Sequence, residues 1–347
     1  MVKSGFSALL LKWNREFNTR QMPWKGEKDP YRIWLSEIIL QQTRVEQGID
    51  YYNKFITKYP TIRDLANAND EIVFKDWEGL GYYSRCRNLL HTARYIVNNY
   101  NAEFPNDHDT IRSLKGIGPY TAAAISSFAF DLPYAVVDGN VYRVLSRFFG
   151  IDTPVDSTEG KKFFNDLAAK QLDKKEPGVF NQAIMDLGAT VCKPVSPSCN
   201  DCIFRKKCAA FIEDKVNELP VKMKKISIKN RWFYYLVLEH KNRIALRKRT
   251  GKDIWQSLFE FPLIESDKEL NERSILEYAK NTVGKNYKYV RISHTISQKL
   301  THQKISSRFL ELRLDKEPEE SRNWKWVSRE ETSDYAFPRL IRDYLEM

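Results

Sequence analysis

Four of the five cysteines in this 347-residue chain lie in one short stretch with the spacing Cys-X6-Cys-X2-Cys-X5-Cys. They are Cys192, Cys199, Cys202 and Cys208. Thiolates this close in sequence can converge on a single metal centre, and the 192–208 loop must then fold around it. The first twenty residues lack the apolar core and cleavage site of an export signal, so disulfide bonds are disfavoured. Zinc folds favour two C-X2-C pairs and this stretch has one, which leaves structural zinc and an iron–sulfur cluster as candidates.

The composition is that of a globular protein with a basic surface. Hydrophobic residues make up 42% of the chain, and the formal net charge is +11 with a pI near 9.2. No apolar run approaches the roughly 18 residues that a membrane span needs, so we expect no membrane partner. A positive surplus of this size is typical of proteins with a polyanionic partner, although a basic surface can also serve solubility alone.

Residues 1–220 predict an all-α domain. Asp29 followed by Pro30 is typical of an N-cap with proline in the first helical turn, and apolar residues then recur at helical spacing along most of this region. The predicted helices cover 30–41, a segment after Thr61, 84–100, 109–113, 119–130, 139–149, 158–170 and 179–191.

The pattern changes after a lysine-rich linker at 221–230, which contains Lys222, Lys224, Lys225 and Lys229. Residues 231–347 predict an α+β domain, because short strand-like runs alternate there with helical ones. The predicted strands cover 232–238, 244–247, 305–314 and 324–327, and the predicted helices cover 267–280 and 336–346.

Residues 114–121 (LKGIGPYT) predict a tight hairpin between two helices. Gly116 and Gly118 allow left-handed torsions, and Pro119 suits the first turn of the following helix. Such a turn directs backbone N–H groups outward at a helix start, where a phosphate can bind without its base sequence being read. A plain helix-turn-helix connection is the alternative for a Gly-X-Gly alone.

Glu37 lies on the apolar face of the first predicted helix, beside Ile33, Trp34 and Leu40. Poor solvation there should raise its pKa, and a carboxylic acid that is protonated near neutral pH can serve as a general acid. The alternative is a buried structural glutamate paired with Arg32 or Arg44.

Asp138 follows Val136-Val137 and precedes a helix that starts at Gly139, as an N-cap residue does. The helix dipole and free N–H groups at that position favour an ionised aspartate. Most such aspartates only cap. One carboxyl pushed towards neutrality and one held anionic would nevertheless divide into an acid and a charge stabiliser.

These features together resemble the endonuclease III-like, helix-hairpin-helix family of DNA glycosylases. The hairpin, the aspartate eighteen residues beyond Tyr120 and the cysteine spacing carry the likeness across the first domain. Within the family, the closest resemblance is to the A/G-specific adenine DNA glycosylases. It rests on the strings PW at 23–24, WLSEIILQQTRVE at 34–46, GLGYYSR at 79–85 and NQAIMDLG at 181–188.

The resemblance implies a mechanism and a cofactor. Glu37 would protonate a flipped adenine and Asp138 would stabilise the sugar cation, with Tyr120 and Asn140 lining the site. Tyr120 stands where lyase-competent relatives carry a lysine, so the family pattern implies a monofunctional glycosylase that uses water. The four cysteines would hold a [4Fe–4S] cluster.

The resemblance also implies how DNA is bound. Gln42 and Tyr82 would enter the base stack and support extrusion of the target base, while Gln182 would help to recognise adenine. The partner would be double-stranded DNA with an A:8-oxoguanine or A:G mispair, bound by a monomer inside the cell.

The second domain resembles the Nudix-like C-terminal domain of the same glycosylases, on the strings DIWQSLFEFP at 253–262, WVSR at 326–329 and YAFP at 335–338. No Nudix hydrolase box is present, so nucleotide hydrolysis is not expected. In the family a Phe-Ser-His loop recognises 8-oxoguanine. Two segments compete for that place, 296–298 (Ile-Ser-Gln) and 300–302 (Leu-Thr-His), and we favour Leu300, Thr301 and His302.

Two other functions stay open from sequence alone. One is a glycosylase/lyase for oxidised pyrimidines, which Tyr120 and the second domain disfavour. The other is a non-catalytic, DNA-binding iron–sulfur protein.

Overall fold

The structure is a computed structural model that describes residues 5–223, 227–318, 321 and 323–347. Lys224 and Lys225 of the predicted linker lie outside the described residues. The chain divides into two compact units, of which the first comprises Met1–Asn67 and Asn88–Lys224 and the second Ala68–Arg87 and Lys225–Met347.

Residues up to Ile212 form helices. Their bounds are α1 Phe6–Glu16, α2 Pro30–Leu40, α3 Val45–Lys58, α4 Ile62–Asn67, α5 Asp70–Asp76, α6 Ser84–Asn99, α7 His108–Ser113, α8 Pro119–Phe130, α9 Gly139–Phe149, α10 Thr158–Gln171, α11 Pro177–Thr190 and α12 Ala209–Ile212. The predicted helices α2 and α6 to α11 are confirmed to within two residues at each end. Helices α1, α3, α5 and α12 were not predicted.

The core of the first unit forms where α1, α9, α10 and α11 meet. Phe6, Leu145, Phe164 and Phe180 are fully buried there. Phe204 from the cysteine loop joins them, stacked on Phe6 with ring centroids 5.0 Å apart. Burying side chains of this size stabilises the unit by about 1.5–3 kcal/mol each, so the core fixes the start of α9 against α11.

The hairpin between α7 and α8 uses its two glycines differently. Gly116 has a φ of 83°, and a Cβ there would lie 2.6 Å from the Cβ of Asn88. Gly118 is extended (φ −89°) and caps α8, with Pro119 in the first turn. The left-handed torsion of the predicted turn is therefore at Gly116, and Gly118 begins the helix.

The second unit is built on a mixed sheet. Its strands are β1 Lys229–His240, β2 Arg243–Lys248, β3 Phe259–Glu260, β4 Leu263–Ser266, β5 Tyr287–Ile292, β6 Ile296–Lys299, β7 Gln303–Leu314 and β8 Lys325–Val327, and its C-terminal helices are α13 Glu272–Val283 and α14 Arg339–Leu345. The order is β3-β2-β1-β7-β5, with β4 on β1, β6 on β7 and β8 on β2. The central pair β1 and β7 is parallel, and the other pairs are antiparallel.

Both faces of this sheet are covered. Ile275 and Ala279 of α13 belong to an apolar cluster with Leu236 and Leu310. Elsewhere Phe309 stacks on Tyr344 of α14, with centroids 4.0 Å apart. A parallel central pair needs a crossover connection, which explains the helix between the strands. The structure confirms the predicted α+β class, although the helix expected at 267–280 begins only after the N-cap Asn271.

Residues 68–87 pack within the second unit, although the sequence interpretation assigned them to the helical domain. The carboxylate of Glu78 accepts a hydrogen bond from the Phe337 amide at 2.8 Å. Arg87 donates to the carbonyl of Gln256 at 2.7 Å. The loop that carries Tyr82 is therefore held by the C-terminal part of the chain.

Candidate active site

Glu37 is a buried acid in the middle of α2, only 6% exposed. Burial raises its pKa to about 7, and the nearby Asp138 adds to the rise while a hydrogen bond from Tyr120 opposes it. Arg32, one of the two arginines that a purely structural role suggested, instead forms ion pairs with Glu27 and Asp29. Glu37 can therefore hold or release a proton near neutral pH.

Asp138 caps α9 as the sequence predicts. Its Oδ1 accepts from the backbone N–H groups of Asn140 and Val141, at 2.9 and 2.8 Å. The cap lowers the pKa of this carboxyl, as does the charge of Arg143, but burial has the larger effect and raises it. The direction is opposite to the one expected from the cap alone, because the sequence pattern does not reveal how far the α9 start is buried.

Asn140 links Asp138 to a neighbouring arginine. Its Nδ2 donates to Asp138 Oδ2 at 2.8 Å, and its Oδ1 accepts from Arg143 Nη2 at 2.7 Å. Arg143 also donates to the carbonyls of Gly188 and Cys192. A Cβ on Gly188 would lie 2.6 Å from the Cβ of Asn140, so the glycine allows α11 to approach this close. Arg143 was not singled out from sequence, since a charged residue in an amphipathic helix usually faces solvent.

Tyr120, in the first turn of α8, completes the group. Burial and the two carboxyls raise its pKa well above the usual value, so the phenol stays protonated and can donate. Its hydroxyl interacts with Glu37 and lies 3.9 Å from the sulfur of Met185. The structure thus brings Glu37, Asp138, Tyr120 and Asn140 together.

A cavity of about 210 Å³ borders Glu37 on the side formed by α2, α11 and the loop before α2. Gln182 lines it together with Trp24 and Lys25. Glu37 and Gln182, two predicted site residues from different helices, therefore share one cavity wall.

Behind Gln182 lies Asp186, whose side chain is completely buried. Four side chains donate to its two oxygens: Arg20 at 2.9 Å, Lys25 at 3.0 Å, Asn18 at 2.9 Å and Gln182 at 2.9 Å. Sequence reasoning gave this residue no role. The sequence does hold a signal for this role: Asp186 is an acid one helical turn beyond Gln182, on a helix whose face is mainly apolar.

Gln42 and Tyr82 are both exposed and both have left-handed backbones, with φ of 58° and 46°. Non-glycine residues adopt this conformation at a cost of about 1–3 kcal/mol, and it is concentrated at functional sites. Both side chains are therefore available to a macromolecular ligand.

The competing segments of the second unit have different structures. Residues 296–298 belong to strand β6, and Ser297 faces Ser306 across the ladder. Residues 300–302 form the tip of the β6–β7 hairpin, where the Thr301 hydroxyl lies 2.5 Å from the Tyr82 hydroxyl. Leu300 is half-buried and His302 is exposed.

The four clustered cysteines line a single cavity, together with Arg147 and Arg205 and several apolar side chains. Arg147 Nη1 lies 3.5 Å from Cys192 Sγ, and Cys208 Sγ approaches the Arg147 carbonyl. In the part of the chain that the structure describes, no three histidine, cysteine or acidic side chains are placed to hold a single metal ion. Four thiols border one cavity, with a cation beside one of them, and this is the donor chemistry that a thiolate-bound metal group needs.

Comparison with known proteins agrees with this architecture. Residues 35–168 match the HhH-GPD superfamily of base excision DNA repair proteins, and residues 233–347 match the NUDIX domain. An adenine DNA glycosylase of Buchnera aphidicola from Acyrthosiphon pisum is 32% identical over 100% of this chain and 98% of its own length. The one from Baizongia pistaciae is 35% identical over 87% of this chain and 84% of its own length. This chain belongs to the adenine DNA glycosylase family.

The solved structure of a thermostable thymine-DNA glycosylase is similar to the helical part of this chain. It has a TM-score of 0.56 and 30% identity, over 60% of this chain and 95% of the other. The predicted helix-hairpin-helix domain followed by a Nudix-like domain is confirmed. None of the helices in the described ranges has the length and apolar character that a membrane span requires.

The ionisation of Glu37 gives a direct test of this site. Because the folded pKa of about 7 exceeds the ordinary value of 4.5, the wild type loses stability as pH rises between these values. The Glu37→Gln protein should therefore become progressively more stable than the wild type over that pH range, as measured by chemical unfolding. Tyr120→Phe should raise the pKa of Glu37 further and Asp138→Asn should lower it, as measured by carboxyl infrared spectroscopy.

Glu159→Gln makes the same chemical change at an exposed position and provides the control. A Glu37 carboxyl that titrates like an exposed glutamate would contradict the description of the site.

Proposed function

We propose that this protein is a monofunctional adenine DNA glycosylase of base excision repair. It hydrolyses the N-glycosidic bond of adenine mispaired with 8-oxoguanine, or less well with guanine, after the base has been flipped out of the duplex. The observation that carries the proposal is the convergence of Glu37, Tyr120 and Asp138, with burial raising the pKa of Glu37 to about 7.

Glu37 is the general acid. Adenine is a poor leaving group, and protonation at N7 allows the bond to the sugar to break. A proton donor is most effective when its pKa lies near the working pH, and such a donor contributes roughly 10²–10⁴ in rate. A pKa of about 7 meets that condition.

Asp138 stabilises the positive charge that develops on the sugar. Its cap hydrogen bonds and the donor Asn140 favour its anionic form against the effect of burial. A carboxylate beside an oxocarbenium-like centre is the arrangement that sugar hydrolases use. As positive charge develops on the sugar, it attracts the nearby Asp138 carboxylate and makes the anionic form of Asp138 more stable.

Water is the nucleophile. A Schiff base needs a primary amine, and the phenol of Tyr120 cannot supply one. Lys115 precedes the turn at Gly116 and its side chain is exposed. The product is then an abasic site in an intact strand.

DNA is the partner. The net charge of +11 suits a polyanion, and phosphate contacts give much of the affinity for a duplex. The hairpin at Gly116 and Gly118 supports backbone binding, as do the exposed cations Arg205, Lys206 and Lys207 of the cysteine loop. Gln42 and Tyr82 enter the base stack. We propose that the protein works inside the cell as a monomer.

The cysteine loop holds a [4Fe–4S] cluster through Cys192, Cys199, Cys202 and Cys208. Thiolates are the ligands of such clusters, and these four border one cavity. When bound, the cluster supplies structural cross-linking of the loop rather than bond-breaking chemistry. The loop then presents its three cations in a fixed array.

The hairpin tip of residues 300–302 reads the lesion. Thr301 replaces the serine of the family loop, and its hydroxyl contacts Tyr82, a proposed stack-entering residue. Leu300 is the wedge and His302 the exposed polar group. The hydrogen bond couples insertion of Tyr82 to the loop that faces 8-oxoguanine.

Base release provides the first test. Glu37→Gln and Asp138→Asn should each lower single-turnover excision of adenine opposite 8-oxoguanine by at least about a hundredfold, because each removes a transition-state interaction. Duplex binding should change little. The wild type should release free adenine and leave a strand that breaks only after alkali.

The matched controls Glu159→Gln and Asp166→Asn alter exposed residues of the same types and should retain activity. Strand cleavage by the wild type before alkali treatment would contradict the monofunctional assignment.

The cluster makes a separate prediction. Cys202→Ser should lose iron and sulfide, measured per chain, because one of four thiolate ligands is removed. Cys86→Ser should keep both, since Cys86 lies outside the loop. Equal iron in the two proteins, or zinc in the wild type as isolated without air, would overturn the assignment.

The lesion loop can be tested by comparing the excision of adenine opposite 8-oxoguanine and opposite guanine. Thr301→Val removes the hydroxyl that contacts Tyr82, so the preference for 8-oxoguanine should fall roughly two- to tenfold, the usual effect of one hydrogen bond. Tyr82→Phe should reduce it similarly. Ser297→Ala tests the rival segment, and loss of the preference in that variant alone would transfer the role to 296–298.

A further inference from the structure

Asp186 is a buried anion that the catalytic proposal does not use. Its carboxylate is completely buried, yet two cations and two amide groups donate to it. A buried charge is tolerated only when it is paired and hydrogen-bonded, so this carboxylate is fully satisfied. Because its hydrogen bonds are all made within the protein, the Asp186 carboxylate needs no further ligand. Any effect of Asp186 on function must therefore pass through the side chains that donate to it.

One of those groups is Gln182, which lies one turn earlier on α11. A glutamine amide has a donor end and an acceptor end, whereas an ionised carboxylate can only accept. Gln182 Nε2 therefore faces Asp186 Oδ1 at 2.9 Å. The flipped amide would bring two acceptor oxygens together at that distance, so Asp186 excludes it.

The fixed amide leaves its carbonyl oxygen as the group that Gln182 presents to the base. Gln182 lines the cavity that also borders Glu37. A carbonyl oxygen accepts a hydrogen bond from the 6-amino group of adenine. It repels the 6-oxo group of hypoxanthine or guanine, which is itself an acceptor.

We propose that Asp186 is a positioning residue that makes the cavity select a 6-amino purine over a 6-oxo purine, by fixing the orientation of the Gln182 amide. This inference rests on the proposed glycosylase function. Asp186 does not touch the base, and its effect passes through Gln182.

The cations of the same network hold the other wall of the cavity. Lys25 lines the cavity next to Trp24 and donates to both Asp186 and the carbonyl of Arg20. Arg20 donates to Asp186 from the same loop. The two cations offset the negative charge of Asp186, so no uncompensated charge lies beside the base. Asp186 still acts only as an acceptor towards Gln182.

The test compares single-turnover excision of adenine and of hypoxanthine, each placed opposite 8-oxoguanine in the same duplex. In Asp186→Asn the new amide can donate as well as accept, so Gln182 can turn its NH2 group towards the base. The ratio of the adenine rate to the hypoxanthine rate should fall roughly tenfold, because an acceptor–acceptor clash is replaced by a hydrogen bond. A merely structural weakening would lower both rates together.

Gln182→Leu should also reduce the ratio, and Asp186→Asn should add nothing in that background, as the double-mutant cycle requires. Asp166→Asn makes the same chemical change at an exposed position and should leave the ratio unchanged. If Asp186→Asn does not fold, Gln182→Leu keeps the buried aspartate with both cations, and an unchanged ratio in that variant would overturn the proposal.

Two further outcomes would overturn it: equal losses on both bases in Asp186→Asn, or an undiminished effect of that change in the Gln182→Leu background. A wild type that releases no adenine would instead refute the glycosylase function itself.

Discussion

The helical unit is organised around carboxyl groups that have been removed from water. Burying a charged carboxyl costs free energy, and the surroundings reduce that cost in a different way for each acid. Glu37 has few compensating donors, so burial raises its pKa to about 7 and it can be neutral. Asp138 receives the N–H groups of a helix start, and Asp186 receives two cations and two amides. In the proposed function, these different surroundings suit Glu37 to act as the acid, Asp138 as the anion and Asp186 as the group that orients Gln182.

Two amide side chains near these carboxyls are also held by hydrogen bonds. Asn140 and Gln182 are amides whose orientation is fixed from behind, the first by Arg143 and Asp138 and the second by Asp186. Neither amide has freedom to adapt to a different partner. If Gln182 contacts the base as proposed, base selectivity depends on a residue, Asp186, that does not itself line the cavity.

Much of the fold could be read from local signals in the sequence. Asp29 with Pro30, and Asp138 with Gly139, mark helix starts through chemistry that acts within three residues, and the structure has caps at both. Helix α3 was missed because charged and polar residues dominate it, and its buried face rests on a few side chains such as Tyr52 and Phe55. Whether such a face is buried depends on tertiary contacts.

The site was predictable in part for the same reason. The apolar neighbours of Glu37 along its helix anticipated a raised pKa, which the structure shows. The network around Asp186 was not predictable, because its donors Asn18 and Arg20 lie more than 150 residues away in sequence. The effect of burial on Asp138 was not predictable either, because it depends on tertiary packing around the start of α9. The resemblance to a family supplied roles that no local pattern carries.

Gly188 allows helix α11 to pack close to the start of α9. The helix that bears Gln182 passes so near Asn140 that a methyl group at position 188 would lie 2.6 Å from the Cβ of Asn140, too close for an unshifted backbone. In the proposed function, α11 carries Gln182, which contacts the base, and α9 begins beside Asp138, which faces the sugar. The absence of a side chain at Gly188 therefore sets the distance between these two groups. Even alanine, the smallest possible replacement, would push α11 away from the start of α9.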